Sequence, residues 1–403
     1  MTTTAPTSAA SPRTATSAQG DTLAVRGGTP VSKTPVPFMA TGLSEADIEA
    51  AVKVLRSGML RAATKCAELE VRFGEMSGAK HAMTCANGTC ALQLAYEPLF
   101  KPGDEVLVPA WSYIATVSMV VARGGIPVFV DADPTTGQLS IADAARKAGK
   151  KTRAIAATHM YGCPVDIDGV LALAKAHNLK VIFDAAQAHL STYKGKGIGQ
   201  FGDAVTYSFY ATKNLPTGEG GMVTCNDDAL AAQIKLLRSH GETEKYLHAQ
   251  VGYNYRLNDI AGALGCSRLD RLQSETDTRR AVAKRYDAML AGDAIPGVSA
   301  LGVTPGAESA YHLYTIRFAD GRFTAPRDEI SKALHAEGVP NAVHYPKCLT
   351  RQPAFAAFAT EHPAVSGLLA KEVMSIPMHH NLSDEHVRVV NEALVKVAGA
   401  LGR

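Results

Sequence analysis

Short apolar segments alternate with helical stretches from about residue 80 onward. Each segment is apolar at consecutive positions, which is typical of strands buried on both faces, as in a parallel sheet covered by helices. The last segments lie too close together for long crossover helices, so part of the sheet is predicted to be antiparallel. The pattern therefore predicts an α/β fold with a mostly parallel central sheet flanked by helices. The predicted strands are residues 106–108, 128–130, 154–157, 181–183, 204–207 and 222–224.

Apolar spacing and capping residues predict the main helices. Ser44 is a predicted N-cap, Asp47 follows three positions later, and the next turns carry one apolar face made of Ile48, Ala51, Val52 and Leu55. A long helix is predicted over residues 258–289, where it joins two parts of the chain. The C-terminal part is predicted to be α+β, with a strand at 312–318, a helix at 327–337, a strand at 342–345 and a helix after Ser383.

These elements divide the chain into three parts. Residues 1–21 are rich in threonine, alanine and serine, so we predict a disordered tail. Residues 22–285 are predicted to form a large domain with an N-terminal arm, and the motifs described below mark it as the ligand-binding domain. Residues 286–403 are predicted to form a smaller C-terminal α+β domain.

Composition and charge exclude several classes of protein. The 403 residues include 41 Lys and Arg against 38 Asp and Glu, and this net charge of +3 gives no reason to expect a nucleic-acid or membrane partner. The most apolar stretch, residues 114–130, is broken by arginine, glycine and proline, so no membrane span is predicted. The seven cysteines are scattered without a Cys-x-x-Cys pair, so we expect reduced thiols, no metal site and a cytoplasmic location.

Two residues with complementary chemistry follow predicted strands. Asp184 ends the segment 181–183, and Lys213 lies between the segment 204–207 and a glycine-rich turn at 217–221. Ligands of open α/β sheets bind beyond the carboxyl ends of strands, so both side chains can face one crevice. A lysine can hold an aldehyde as a Schiff base, and a carboxylate can keep a pyridine nitrogen protonated. Alone, each residue is more often a surface lysine or a helix cap, but the pair predicts pyridoxal phosphate (PLP) chemistry.

Two further segments fit a bound PLP. Residues 84–94 form a small-residue turn followed by an apolar helix, whose free N–H groups and the Thr89 hydroxyl can bind a phosphate. An ordinary Asn-Gly turn that caps a core helix is the alternative. Residues 108–116 place Trp111 and Tyr113 just after a strand, where an aromatic ring can stack on a pyridine or fill the core.

Together these motifs resemble those of the DegT/DnrJ/EryC1/StrS family of PLP-dependent sugar aminotransferases. The resemblance spans residues 43–401 and implies the PLP-dependent transferase fold type I of aspartate aminotransferase. One departure is Asn87, where many members have serine; the backbone is expected to supply most of the phosphate contacts there. Four segments carry the resemblance in the family's order, which makes the signal specific: residues 87–92, 184–189, 208–221 and 252–257.

The resemblance implies a role for the matching residues around the cofactor. Lys213 would bind the aldehyde of PLP and Asp184 its pyridine nitrogen, which makes these two the catalytic residues. Asn254 would reach the phosphate from the partner subunit, so we expect a homodimer with shared active sites. The remaining cofactor contacts implied for the phosphate and the ring are Gly88, Thr89, Ser208, Gln187 and Tyr113.

The resemblance also implies how the substrate is bound and converted. Glutamate or glutamine would donate the amino group, and a keto-sugar, most often a nucleotide-linked keto-deoxysugar, would accept it in amino-sugar biosynthesis. The predicted substrate contacts are His189, Tyr255, His344 and Tyr345. For His189, a histidine packed in the core is the alternative.

Three other functions are weighed against this one. Residues 24–31 resemble the leading segment of relatives that aminate keto-cyclitols of the scyllo-inosose type for aminoglycosides, so a keto-cyclitol is an alternative acceptor. Lys213 argues against the related dehydratases and deoxygenases, in which histidine replaces the lysine. A PLP-binding regulatory or sensing protein without turnover is the third, although the residues before the first motif are too few and too uncharged for a DNA-binding domain.

Overall fold

The computed structural model describes residues 22–40 and 42–403, so the predicted tail at 1–21 lies outside the described residues. The helices of the described chain are α1 (Glu45–Ser57), α2 (Thr64–Ser77), α3 (Gly88–Leu99), α4 (Ala115–Ala122), α5 (Ile141–Lys147), α6 (Ile167–His177), α7 (Asp228–Arg238), α8 (Asp259–Leu290), α9 (Arg327–Ala336), α10 (Ala364–Glu372) and α11 (Asp384–Leu401). The strands are β1 (His81–Cys85), β2 (Glu105–Pro109), β3 (Ile126–Val130), β4 (Thr152–Thr158), β5 (Lys180–Asp184), β6 (Thr192–Tyr193), β7 (Lys196–Gly197), β8 (Ala204–Ser208), β9 (Gly221–Cys225), β10 (Glu242–Glu244), β11 (Leu247–His248), β12 (Val298–Ala300), β13 (Ala307–Glu308), β14 (Tyr314–Phe318) and β15 (Val373–Ile376).

A seven-stranded sheet forms the centre of the larger part, in the order β1-β9-β8-β5-β4-β2-β3. The five strands from β8 to β3 pair in parallel, while β9 is antiparallel to β8 and β1 is antiparallel to β9. This arrangement confirms the predicted α/β fold, including its antiparallel part. All six strands predicted for this sheet are present, but the sequence prediction missed β1, because His81–Cys85 mixes polar and apolar residues without a regular period.

Helices cover both faces of this sheet. Helices α2, α5, α6 and the first half of α8 pack on one face, and α3, α4 and α7 pack on the other. A second core lies between α9, α11 and a three-stranded antiparallel sheet with the order β12-β14-β15. Helix α8 contributes Leu269 and Leu272 to the first core and Val282 and Tyr286 to the second, so the predicted connecting helix is confirmed.

The N-terminal arm packs on the second core, although the sequence analysis grouped it with the large domain. Leu23 and Val36 are buried in that core. The carboxylate of Glu337 is fully buried and fixes the arm from the small domain. Its three donors are the backbone N–H groups of Ala24 (2.8 Å) and Val31 (3.0 Å) and the ammonium of Lys396 (2.9 Å). The segment 24–31 is therefore held by packing and hydrogen bonds to the small domain.

Local capping signals are confirmed at both ends of the chain, but one predicted strand is wrong. Ser44 and Asp47 form a capping box on α1, and Ser383 caps α11. Residues 342–345 do not form a strand: Ala342 makes a single bridge to Ser375, and the residues that follow leave the sheet. Among the described residues, no helix combines the length and apolar character needed to cross a bilayer.

Candidate active site

The site lies where two neighbouring parallel strands end. Asp184 is the last residue of β5, and Ser208 is the last residue of β8, which pairs with β5. The chain then turns, and the Lys213 N–H donates to the Tyr210 carbonyl at 2.8 Å. The Phe209 N–H donates to the Gly220 carbonyl at 2.8 Å, which closes the glycine-rich turn. The fold thus brings both predicted catalytic residues to the carboxyl edge of the sheet, where ligands of such folds bind.

Asp184 is a buried carboxylate with two hydrogen-bond donors. It is 5% exposed, and its oxygens accept the Thr116 hydroxyl at 2.6 Å and the Ala186 N–H at 3.0 Å. Burial raises the pKa of this carboxyl, while the two donors and the charge of Lys213 act to lower it. Because each carboxylate oxygen has two acceptor positions, Asp184 keeps capacity for a further donor.

Lys213 is half-buried, and its amine is free for chemistry. Burial lowers the pKa of Lys213 to about 8, and the charge of Asp184 opposes this effect. In the described part of the chain, the Lys213 ammonium has no hydrogen-bond or ion-pair partner. About a tenth of this side chain is therefore a neutral, nucleophilic amine at pH 7, far more than for an exposed lysine.

The start of α3 forms a cradle that fits a phosphate. Gly88 and Thr89 are its first residues, and Asn87 caps the helix by accepting the Cys90 N–H at 2.9 Å. A Cβ on Gly88 would lie 2.8 Å from the Ser208 Cβ, so only glycine allows this close approach of helix and strand. The N–H groups at the helix start and the hydroxyls of Thr89 and Ser208 can bind a dianion there. Asn87 caps the helix with its own side chain, so a serine at this position is not needed for the cap.

Gln187 and Tyr345 are fixed by a network between the two parts of the protein. The Gln187 carbonyl oxygen accepts the Tyr161 N–H at 2.7 Å, and its amide nitrogen donates to the Tyr345 hydroxyl at 3.1 Å. The Trp111 indole donates to the Tyr345 carbonyl at 2.9 Å, and the Tyr161 hydroxyl donates to the His344 carbonyl. The structure therefore brings His344 and Tyr345 of the small domain to the predicted cofactor residues.

The two aromatic residues after β2 differ in exposure. Trp111 is 1% exposed and contributes to packing, whereas Tyr113 is 57% exposed. The Tyr113 ring lies 6.0 Å, centre to centre, from the Tyr345 ring. Tyr113 is therefore the aromatic side chain that is accessible beside the site.

His189 lies among packed aromatic rings. The imidazole is completely buried, and its ring centre lies 5.7–6.4 Å from those of Phe73, Tyr207 and Phe209. Burial, with the charge of Lys213 acting in the same direction, lowers the pKa of His189 to about 3, so the ring is neutral. Its nitrogens have no hydrogen-bond partner in the described chain.

Asn254 and Tyr255 are held beside the start of α3, because the Ala86 N–H donates to the Tyr255 carbonyl at 2.8 Å. Asn254 is exposed, and the Tyr255 hydroxyl donates to the Gln93 carbonyl oxygen on α3 at 2.9 Å. The Tyr255 ring stacks on Tyr253 with centres 4.6 Å apart. None of the hydrogen bonds or ring contacts of Asn254 and Tyr255 reaches Lys213, Asp184 or Gln187 within one chain.

Several supporting residues were missed by the sequence analysis. Thr116 donates to Asp184, and the Tyr161 N–H orients Gln187. The buried His312 imidazole lies 3.2 Å from the Asn214 side-chain oxygen, directly beside Lys213. Thr116 lay in the segment 108–116, but nothing in the sequence indicated which strand end it would face. Across residues 22–40 and 42–403, no three His, Cys, Asp or Glu side chains are grouped so that they could hold a metal ion.

Comparisons with known proteins agree with this geometry. The model of the DegT/DnrJ/EryC1/StrS aminotransferase family matches residues 42–395. The chain is 37% identical over 353 residues to a pleiotropic regulatory protein of Geobacillus stearothermophilus, covering 85% of this chain and 92% of that one. It is 38% identical over 338 residues to GDP-perosamine synthase of Caulobacter vibrioides, covering 82% and 89%. DesV of S. venezuelae, solved in complex with a ketimine intermediate, has a TM-score of 0.86 at 33% identity and covers 91% of this chain and 99% of its own.

The fold and these matches define the protein as a PLP-dependent aminotransferase of fold type I. The chain belongs to the DegT/DnrJ/EryC1/StrS aminotransferase family, as the sequence motifs predicted. The residues present fit PLP: a carboxylate faces the crevice, a free amine lies beside it, and a cradle that only Gly88 allows can take the phosphate.

Proposed function

We propose that the protein transfers an amino group from glutamate or glutamine to a nucleotide-linked keto-sugar. The observation that carries this proposal is the position of Asp184 and Lys213 beyond adjacent strand ends, beside the glycine cradle of α3. Family membership supports the type of reaction. The names of four relatives that are 34–38% identical, among them GDP-perosamine synthase and a UDP-sugar aminotransferase, support the class of acceptor.

The proposed roles of the residues follow from their chemistry. Bound PLP supplies an electron sink for the carbanion that forms at the carbon bearing the amino group. Lys213 holds the cofactor in the resting enzyme, and its amine then carries the proton to and from that carbon. Asp184 holds the pyridine nitrogen in its protonated form by charge and hydrogen bonding. Gly88, Thr89 and Ser208 bind the phosphate.

Contacts with the faces and edge of the ring complete the proposed site. Tyr113 is exposed beside the site and would stack on the ring. The Tyr161 N–H binds the carbonyl oxygen of Gln187, so the orientation of the side-chain amide is fixed. One hydrogen of the amide nitrogen bonds to the Tyr345 hydroxyl, and the other would donate to the ring hydroxyl of PLP. His344 and Tyr345 form the part of the substrate entrance that comes from the small domain.

The segment 24–31 does not decide the acceptor. It resembled relatives that aminate keto-cyclitols, but its hydrogen bonds are to Glu337 and Lys396 of the small domain. Gly28 is required by packing, since a Cβ there would lie 1.7 Å from the Thr22 carbonyl oxygen. The motif is thus explained by the way the arm folds, and the nucleotide-linked keto-sugar remains the proposed acceptor.

A product assay tests the function directly. The holoenzyme is incubated with a panel of nucleotide-linked keto-sugars and a keto-inositol, each with glutamate or glutamine, and products are analysed by mass spectrometry. We expect an amino-sugar nucleotide from at least one keto-sugar, and none with the Lys213→Ala variant. Amination of the keto-inositol alone would establish the cyclitol alternative, and binding of PLP without any product would favour a sensing protein.

The lowered pKa of Lys213 predicts how reconstitution depends on pH. Only the neutral Lys213 amine could bind the aldehyde of PLP, and burial places the midpoint of its protonation at about 8. The rate at which apoenzyme takes up PLP should therefore rise about tenfold from pH 7 to pH 9 and then level off. Stopped-flow absorbance measures this rate. A rate that continues to rise through pH 10 would mean that burial does not lower this pKa. In Asp184→Asn the midpoint should move lower, because the charge that favours the ammonium is gone.

We also propose that the active unit is a homodimer. The predicted apolar face of α1 points away from the protein core, and Ile48 and Leu55 are 43% and 54% exposed. Val71 of α2 is 62% exposed, and Tyr246 and Val251 near the β10–β11 hairpin are 81% and 91% exposed. Apolar side chains exposed over these segments fit a self-associating surface, and Asn254 lies six residues after the end of the hairpin.

Complementation tests whether Asn254 acts in the partner's site. Asn254→Ala and Lys213→Ala each damage one half of a shared site, so a mixed dimer has one site with both natural residues. Co-expression in equal amounts should restore about a quarter of wild-type activity, since half of the dimers are mixed and each has one intact site. Activity equal to the mean of the two parent variants would show that Asn254 acts within its own subunit or not at all.

A further inference from the structure

Three buried hydroxyl groups form a line that ends at Asp184. The Thr116 hydroxyl lies 2.6 Å from the outer carboxylate oxygen, and the Thr158 hydroxyl lies 3.5 Å from that of Thr116. The Ser112 hydroxyl lies 3.1 Å from that of Thr158. These residues are 0%, 6% and 2% exposed, respectively, and they come from α4, the end of β4 and the loop after β2. Three separate elements therefore place their hydroxyls behind one carboxylate.

The carboxylate sets the direction of the hydrogen bonds in this line. An ionised carboxylate only accepts, so Thr116 must donate its proton to Asp184. Each hydroxyl has a single proton, so Thr158 is placed to donate a long, weak hydrogen bond to Thr116 at 3.5 Å, and Ser112 is placed to donate to Thr158 at 3.1 Å. Donors that point the same way polarise one another, which strengthens the bond at the end of the chain. The line therefore stabilises negative charge on Asp184.

We propose that Ser112, Thr158 and Thr116 form a hydrogen-bond chain that keeps Asp184 ionised and thereby sets how firmly the pyridine nitrogen of bound PLP holds its proton. They are positioning residues, because they act through Asp184. The inference rests on the proposed role of Asp184.

Other groups around Asp184 explain why such a chain is needed. The titratable side chains that face it are Lys213, which favours its charge, and the neutral phenols of Tyr96 and Tyr345. Burial opposes the charge and raises the pKa of the carboxyl. Tyr96 also donates to the Thr116 backbone carbonyl at 2.9 Å, which fixes the residue that makes the terminal bond. In the loaded enzyme, the hydroxyl chain and the Ala186 N–H are the protein contacts that would oppose protonation of Asp184 in addition to the pyridine nitrogen itself.

The test uses Thr116→Val, which removes the hydroxyl and preserves the shape of the side chain. Two readouts besides activity are measured: the dissociation constant for PLP, and the pH midpoint of the visible absorbance of the loaded enzyme. We expect PLP to bind about tenfold more weakly, because a hydrogen bond to a charged group is lost. The midpoint should rise by about half a pH unit or more, since a less cationic ring withdraws less charge from the lysine-linked nitrogen.

Matched variants separate this effect from misfolding. Thr116→Ser keeps the hydroxyl and should restore both values, while Ser112→Ala should shift the midpoint in the same direction by less. Thr276→Val removes a fully buried hydroxyl that bonds only to its own helix, at the Leu272 carbonyl, and should leave the midpoint unchanged. Thermal melting of each apoenzyme verifies the fold.

Asp184→Asn separates the proposed role of Asp184 from the proposed role of the hydroxyl chain. If this variant leaves the midpoint unchanged, the proposed role of Asp184 is wrong, and the proposal that the hydroxyl chain acts through Asp184 is wrong with it. If Asp184→Asn shifts the midpoint but Thr116→Val does not, Asp184 acts alone, and the chain is refuted. A shift in Thr116→Val without one in Ser112→Ala would limit the effect to Thr116 and refute the longer chain.

Discussion

Replacing Lys213 by alanine is expected to abolish turnover while the fold is retained. The side chain is the proposed point of attachment for PLP and the proposed carrier of the substrate proton, and proton transfer alone contributes about 10²–10⁴-fold to a rate. We expect kcat to fall by at least about 10³-fold for that reason. The Lys213 amine makes no hydrogen bond in the described chain, so its removal should leave the melting temperature of the apoenzyme nearly unchanged.

Steady-state kinetics and calorimetry measure these two effects. Lys194→Ala is a control, because Lys194 is 60% exposed and its ammonium contacts Asp168 and the Tyr193 ring, neither of which is a proposed site residue. The control should keep full activity. Full turnover by Lys213→Ala would overturn its assignment, and loss of activity together with a large loss of stability would show that Lys213 acts through the fold.

Asp184→Asn should have the second largest effect. The amide keeps the size of the side chain but not its charge, so the pyridine nitrogen loses a charged hydrogen-bond partner. Loss of such a bond costs roughly 1.5–3 kcal/mol, which corresponds to about 10- to 100-fold weaker PLP binding. We expect kcat to fall by about 10²–10³-fold as well, since removal of one electrostatic stabiliser typically has that effect.

Titration with PLP and steady-state kinetics measure both quantities. Asp168→Asn changes an exposed carboxylate near the surface and should alter neither. A slower rate of proton removal from the α carbon, seen as a larger isotope effect with α-deuterated glutamate, would show that Asp184 acts on the chemical step. Unchanged kinetics in Asp184→Asn would place this residue outside the site.

The elements that the sequence predicted best are those buried on both faces. The segments that became β2, β3, β4, β5 and β8 are continuous apolar runs, and their pattern defines them without tertiary information. β1 was missed because its mixed sequence becomes a strand only by pairing with β9. Residues 342–345 were predicted as a strand from their composition, but hydrogen bonds from Trp111 and Tyr161 hold His344 and Tyr345 at the site.

The site residues also divide into those that a local pattern predicts and those that depend on tertiary packing. Lys213, Asp184 and Gly88 could be predicted as site residues because their motifs lie at the ends of predicted strands or at the start of a predicted helix. Thr116 and Tyr161 could not be identified, since their partners are determined by how distant segments pack. The surroundings of His189 could not be predicted from the sequence either, because the aromatic rings that pack around it come from α2 and β8.

Mapping the attachment point of PLP tests the central claim most directly. The purified holoenzyme is reduced with borohydride, digested, and analysed by tandem mass spectrometry, which identifies the lysine that carries the reduced cofactor. The proposed site predicts a single modified peptide with the label on Lys213, and no labelled peptide from the Lys213→Ala variant. A label on any other lysine, or a purified protein that takes up no PLP, would contradict the account.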